Sequence, residues 1–254
     1  MKLILTITTI LATAAFPALS EPLIIGAGKP SGGYDSAAQR LAQRLQQRNT
    51  DAVVSNYNGS DEITLALCQK AADIGYAQID AIYARGQEGC FLKPIGIHGT
   101  EYATIWFPPK SSDNELEDLT ADSRILVDTI GSGSELFWNT IVGIEQGEEG
   151  SSDPWSSAQP VYEPVDMAPT LGSFGEIDAL LIVRKPGSAD FDYLQEAGWE
   201  LGWVYDKDIN DLMFNDVSLY QSDDRYQTYE VRSFLVSGPN FDPALLRKVQ
   251  AANK

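Results

Sequence analysis

The sequence predicts an α/β protein built as two lobes. Strand-like apolar runs alternate with amphipathic helical stretches over residues 24–87, the order a largely parallel sheet requires. The alternation breaks over residues 91–107, and Pro108-Pro109-Lys110-Ser111-Ser112-Asp113, a rigid start and a polar finish, suits a crossing between lobes before it resumes. The first strand of each half runs into a glycine–serine turn, Ser31-Gly32-Gly33-Tyr34 in one and Gly131-Ser132-Gly133-Ser134 in the other.

Residues 1–20 read as a signal peptide. Lys2 precedes an apolar, threonine-rich run, and Ala18-Leu19-Ser20 places cleavage before Glu21. Ile24-Ile25 is a buried strand broken by Gly28 and Pro30, with Ser31 expected to cap a helix whose Ala38, Leu41, Ala42 and Leu45 recur at helical spacing. Residues 53–57 form a second strand. Asn58-Gly59-Ser60 turns it into a helix, with Ser60 as expected N-cap, Asp61 and Glu62 suited to the dipole, and Ile63, Ala66, Leu67 and Ala71 as its buried stripe. Residues 74–78 form a third strand, followed by a helix from about Asp80. Residues 95–97 and 103–107 read as two strands joined through His98-Gly99-Thr100-Glu101, which puts His98 in a turn.

The second lobe begins with a strand at residues 125–128 and a helix carrying Phe137, Ile141 and Ile144. Residues 146–159 read as an acidic exposed loop, and residues 161–165 as an edge strand because of Pro164. Residues 177–183 read as a central strand, 199–204 as another, and 226–236 as a long strand before a helix initiated by Asp242-Pro243. The division is then a signal peptide at 1–20, lobe one at 21–107, lobe two at 108–204, and a return to lobe one over 205–254.

Charge narrows the function classes. The chain carries 36 acidic and 18 basic side chains, a net −18, so no nucleic-acid partner is expected. Such acidity also repels anions at long range, and an anion site therefore needs a local positive field. No run beyond the first twenty residues approaches the roughly 18 apolar residues a bilayer span needs. Cys68 and Cys90 are either a disulfide, as an oxidising compartment would allow, or two buried thiols.

Catalytic signatures are missing. His98 is the single histidine, so any serine triad would have to use it, and neither Asp80 nor Asp128 can be placed against it. Cys68, Cys90 and His98 lack zinc spacing, and no EF-hand loop occurs. Gly26 and Gly28 begin a dinucleotide fingerprint, but Ser31 stands where its third glycine belongs, and no Gly-Lys-Ser/Thr follows for a P-loop. The expectation is a non-enzyme with no cofactor and no metal.

The binding candidates gather where strands end and helices begin. Free N–H groups and the positive dipole end make such turns anion sites. Ser31, Gly32, Gly33 and Tyr34 offer one, Gly59 and Ser60 a second, and Ser132, Gly133 and Ser134 a third; capping alone is the alternative for each. Gln78 at a strand end can donate and accept at once. Lys29 and Arg184 are the candidate charged clamp, a guanidinium being suited to bidentate carboxylate recognition, with ordinary surface charge as the alternative. Tyr76 and Trp106 either wall a ligand or belong to the core.

Several of these motifs resemble the TAXI-type solute receptors of TRAP transporters. They are Ser31-Gly32-Gly33-Tyr34, Asn58-Gly59-Ser60-Asp61-Glu62-Ile63, Gly131-Ser132-Gly133-Ser134-Glu135 and Gly175-Glu176-Ile177-Asp178-Ala179-Leu180. The most specific is Ala72-Asp73-Ile74-Gly75-Tyr76-Ala77-Gln78-Ile79-Asp80. The resemblance spans residues 23–183 and implies a two-lobed type II periplasmic-binding-protein fold with a ligand cleft between the lobes. It further implies a periplasmic monomer that closes on a small organic anion, a carboxylate or an amino acid such as glutamate. TRAP transporter membrane subunits would be its partners, and the turns at Ser31–Tyr34, Gly59–Ser60, Gln78 and Gly131–Ser134 would line the cleft.

Overall fold

The computed structural model describes residues 21–147, 152–185, 187–206, 209, 215–221 and 224–253. The signal-peptide reading at 1–20, and residues 148–151 of the acidic segment, lie outside them.

Among the described residues the fold is mixed α/β around a ten-stranded sheet, eight strands of which run in the order β2-β1-β3-β10-β4-β7-β5-β6. In the first half β1 (Leu23–Ala27) lies between β2 (Ala52–Asn56) and β3 (Ile74–Gln78), all parallel. In the second, β5 (Arg124–Leu126) lies between β6 (Gln159–Val161) and β7 (Ala179–Arg184), again all parallel. Both halves thus repeat one strand order, in which the first strand of each unit is central, and the two glycine–serine turns occupy equivalent positions after β1 and β5.

Two long antiparallel strands join the halves. β4 (Lys93–Phe107) and β10 (Asp224–Ser237) pair along most of their length; β10 also flanks β3, and β4 flanks β7. Residues 98–101 belong to β4, so His98 is not in a turn. Strand-like residues on both sides continue through Gly99, whose backbone pairs with Ser233 across a register shift. β8 (Glu200–Gly202) pairs with the end of β4, and β9 (Asn215–Gln221) with the start of β10.

Helices cover both faces. In the first half α1 (Gly33–Gln46) buries Ala38, Leu41, Ala42 and Leu45 against β1, β3 and α7 (Pro243–Ala252), as its spacing predicts. Asp242 caps α7 by accepting from the Ala244 N–H at 2.7 Å. On the other face, α2 (Ser60–Cys68) and α3 (Ile79–Gln87) enclose Ile63, Leu67 and Ala81. A disulfide between Cys68 and Cys90 ties the end of α2 to the segment after α3, which decides between the two readings of those cysteines. Ala71 lies beyond α2 and is exposed; Thr64 joins the buried stripe instead.

In the second half α4 (Gly133–Gly147) buries Phe137 and Ile141 beside Trp155 and Tyr229 on one face. Trp106, Ala168, Leu194 and Trp199 pack on the other, Ala168 from α5 (Ala168–Ser173) and Leu194 from α6 (Ala189–Glu196). Tyr76 and Trp106 are core residues. The stretch read as an acidic exposed loop is built otherwise where it is described: α4 runs on to Gly147, and Pro154–Ser157 forms a short 3-10 turn. Trp155 is fully buried within that turn. Its indole N–H donates to Asp206 at 3.2 Å, and this apolar anchor outweighs the acidic composition around it. The edge strand comes earlier than proline placement suggested, at Gln159–Val161 with Pro160 inside it.

Candidate functional site

A cavity of about 630 Å³ lies beyond the carboxyl ends of all six parallel strands. Gly28 and Lys29 follow β1, Asn58 to Ser60 follow β2, and Gln78 ends β3. Asp128, Ser132 and Gly133 follow β5, Pro164 to Asp166 follow β6, and Arg184 with Lys185 ends β7. Open parallel sheets gather ligand-binding turns at that edge, because each strand there gives way to a helix N-terminus. Ten of the twelve candidates line the cavity; Ser31 and Ser134 do not.

The first turn works differently from its sequence reading. Ser31 does not cap α1: it adopts a left-handed backbone (φ 67) and is exposed, and Gly32 is the N-cap. The Asp35 carboxylate takes over the turn by accepting from the Ser31 N–H at 2.8 Å. Ser60 is likewise not the cap of α2, which is Gly59. The Ser60 hydroxyl instead accepts from the backbone N–H of Gln78 at 3.1 Å and fixes the end of β3.

The two halves touch here. A Cβ added to Gly59 would sit 2.4 Å from the Gly131 carbonyl oxygen and 2.9 Å from the Ser132 Cα, so the turn after β2 packs backbone to backbone on the turn after β5. Gly133 faces Gln78, whose Oε1 would lie 2.4 Å from a Cβ there. Lys29 reaches across to donate to Thr129 Oγ1 at 2.6 Å.

In the second turn Ser132 Oγ accepts from the Glu135 N–H at 3.1 Å and caps α4. Ser134 is fully buried behind the cavity, its hydroxyl accepting from Val183 N–H at 3.0 Å and from Arg184 Nη1 at 3.3 Å. Arg184 sits at the strand end, as its position predicts, but its guanidinium is largely engaged within the protein. Nη2 donates to Asp128 Oδ2 at 2.7 Å, Nε to Asp190 Oδ2 at 2.5 Å, and Nη1 to the Val183 carbonyl at 3.0 Å. Burial opposes the charge on Asp128, yet the guanidinium and the Thr129 N–H hold its carboxyl below the usual range.

Five charged residues of the cavity wall are missing from the sequence-derived candidates: Glu101, Asp128, Asp166, Lys185 and Asp190. Glu101, on β4, is buried and lines the cavity; its Oε2 accepts from Gln78 Nε2 at 2.7 Å and from the Tyr34 hydroxyl at 3.2 Å. Burial pushes its pKa up, against the Gln78 hydrogen bond that pulls it down. Lys185 Nζ lies 2.6 Å from His98 Nε2. A lysine ammonium can only donate, so His98 accepts at Nε2 and carries its proton on Nδ1. Burial, then Lys185 and Arg40, push His98 down to about 4. Lys185 was detectable in principle as the second of two adjacent bases at a strand end. Glu101 was not, because its stretch read as a turn. The cavity wall is therefore of mixed sign: Lys29, Arg184 and Lys185 face Glu101, Asp128, Asp166 and Asp190.

No protein-family model matches the chain, and no curated protein matches it either. Solved structures do. A Xanthomonas citri protein bound to ATP superposes with a TM-score of 0.59 at 10% identity, covering 92% of this chain and 82% of that one. The periplasmic aliphatic sulphonate binding protein SsuA from Escherichia coli gives 0.56 at 18%, covering 92% and 68%. The GluR0 ligand-binding core from Nostoc punctiforme in complex with L-glutamate gives 0.56 at 13%, covering 91% of each chain. At these identities the likeness concerns architecture: the chain has the two-lobed type II fold of periplasmic binding proteins.

Proposed function

We propose that this chain is an extracytoplasmic solute-binding protein that closes its lobes on a small organic anion, a carboxylate or an amino acid. The observation that carries the reading is the convergence of helix N-termini on one cavity. α1, α2 and α4 each begin at its wall, from Gly32–Gly33, Gly59–Ser60 and Ser132–Gly133. Their unpaired N–H groups favour negative charge. Closure strengthens each donor by excluding water.

In this reading the antiparallel β4–β10 pair, which runs between the two parallel halves, serves as the hinge. Delivery to a TRAP-type membrane transporter follows from the resemblance in the glycine–serine turns, and a periplasmic location follows from the signal-peptide reading. Binding without turnover suits the serines and histidine present: Ser60, Ser132 and Ser134 hydroxyls accept from backbone N–H groups, and His98 is tied to Lys185 rather than to a serine hydroxyl.

Native mass spectrometry of the purified protein should show a co-purified small molecule. A thermal-shift panel of amino acids, dicarboxylates and keto acids should then raise the melting temperature with at least one member, since a ligand bound only by the folded state stabilises it. A flat response across the panel would overturn the reading.

A further inference from the structure

The cavity contains a negative corner that a simple anion leaves unused. Glu101 is 8% exposed, and both of its hydrogen-bond donors, Tyr34 and Gln78, go to the same oxygen, Oε2. Among the described residues no lysine or arginine nitrogen lies within the 4.0 Å of an ion pair with it. Gln78 is 2% exposed, and donation from Nε2 to Glu101 fixes which way its amide points. Its Oε1 is then buried with no hydrogen-bond partner. Two acceptors, one of them a carboxylate, thus share one wall with no cation in ion-pair contact, Lys185 and Arg184 acting on Glu101 only through space. Leaving such groups buried and unmatched is costly, and a carboxylate ligand placed there would add like charge.

A positive counterpart stands elsewhere on the same wall. Lys185 Nζ lies 3.9 Å from where a Cβ on Gly33 would sit, beside the N-terminus of α1. An anionic group belongs against Lys185 and the α1 N-terminus, and a cationic group against Glu101 and Gln78 Oε1 beside them.

We infer that Glu101 and Gln78 Oε1 form an acceptor subsite for the protonated amine of the solute, which is therefore zwitterionic and amino-acid-like rather than a simple carboxylate. The inference rests on the solute-binding role proposed above and narrows its ligand class.

Calorimetric titration of the full chain at pH 7 with each proteinogenic L-amino acid and its matching 2-oxo acid tests it. The best amino acid should bind roughly tenfold or more tighter than its 2-oxo acid, the scale of a hydrogen bond to a charged group. Glu101→Gln should abolish most of that preference. The wild-type comparison needs no variant, and circular dichroism checks that Glu101→Gln is folded. Equal or tighter binding of the 2-oxo acid, or an unchanged amino-acid affinity in folded Glu101→Gln, would overturn the subsite while leaving the solute-binding role standing. No binding in either series would overturn both.

Discussion

Lys29 and Asp128 meet across the cavity at 3.5 Å, one carried by the turn after β1 and the other by the equivalent turn after β5. The two partners differ in environment: the lysine side chain is 46% exposed, the aspartate 6%. Asp128 holds a left-handed backbone (φ 65), which aspartate tolerates better than most residues. Its second, shorter ion pair is with Arg184, at 2.7 Å.

This asymmetry predicts unequal costs. Lys29→Ala should change unfolding free energy by less than about 1 kcal/mol, as exposed pairs generally do. Arg184→Ala should cost about 3–5 kcal/mol, because it leaves Asp128 buried without its main partner. Urea unfolding of both variants measures the difference. Equal losses would mean that Asp128 is held by Lys29 as much as by Arg184.

Gly59 should resist any side chain. A methyl there meets the Gly131 carbonyl and the Ser132 Cα, both backbone, so the two turns must separate. Its φ of 174° is ordinary extended backbone, so the objection is space and not strain. Gly59→Ala should therefore lose ligand affinity by tenfold or more, on the order of 1.4 kcal/mol, while retaining its far-ultraviolet spectrum. Gly133→Ala meets the Gln78 amide rather than backbone, so it should leave the two turns in contact and weaken binding by displacing the amide that holds Glu101. If Gly59→Ala binds ligand like wild type, contact between these turns is not needed for binding.

Much of the fold could be read from the chain because apolar spacing is local information. Leu41, Ala42 and Leu45 announce the buried face of α1, and the apolar run through Ile182 announces a central strand. The turns that line the cavity were legible for the same reason: glycine and serine at a strand-to-helix junction mark where N–H groups are free. What failed was assignment of side-chain partners. Ser31 and Ser60 look like caps, yet a carboxylate four residues on and a strand end 18 residues away decide their roles. Glu101 was illegible because its importance comes from Gln78 and Tyr34, which are 23 and 67 residues distant. Arg184 was placed correctly at a strand end, but Asp128 and Asp190, which occupy its guanidinium, are supplied by folding.

The Cys68–Cys90 disulfide closes a separation of 22 residues around α3. Closing a loop of that size restricts the unfolded chain and is worth about 3 kcal/mol. The Cys68→Ala/Cys90→Ala double variant should lose about that much stability in denaturant titrations, and wild type under reducing conditions should match it. Because α2 also supplies Gly59 and Ser60 to the cavity, ligand binding should weaken less than stability if α2 stays packed through Ile63 and Leu67. A double variant as stable as wild type would show that the bridge does not constrain the unfolded chain.

Asp80 and His98 give the protein opposed pH dependences. Burial raises Asp80 from 3.8 to about 7, and its Oδ2 is buried without a partner. Its folded state therefore keeps a proton that the unfolded chain releases, and stability falls as pH rises from about 4 to 7. Buried Glu101, also raised, pulls the same way. His98, lowered from 6.5 to about 4, does the reverse: the unfolded chain takes up a proton first, so stability falls as pH drops through that window. Asp80→Asn keeps the Oδ1 acceptor used by the Ala81 N–H and removes the titration. It should therefore be more stable than wild type at pH 7, and its advantage should shrink by roughly 2 kcal/mol at pH 5. Its own stability should then decline toward pH 4, as the histidine slope is left less opposed. Urea midpoints of both proteins at the two pH values measure this, and an advantage independent of pH would show that Asp80 does not titrate in the window.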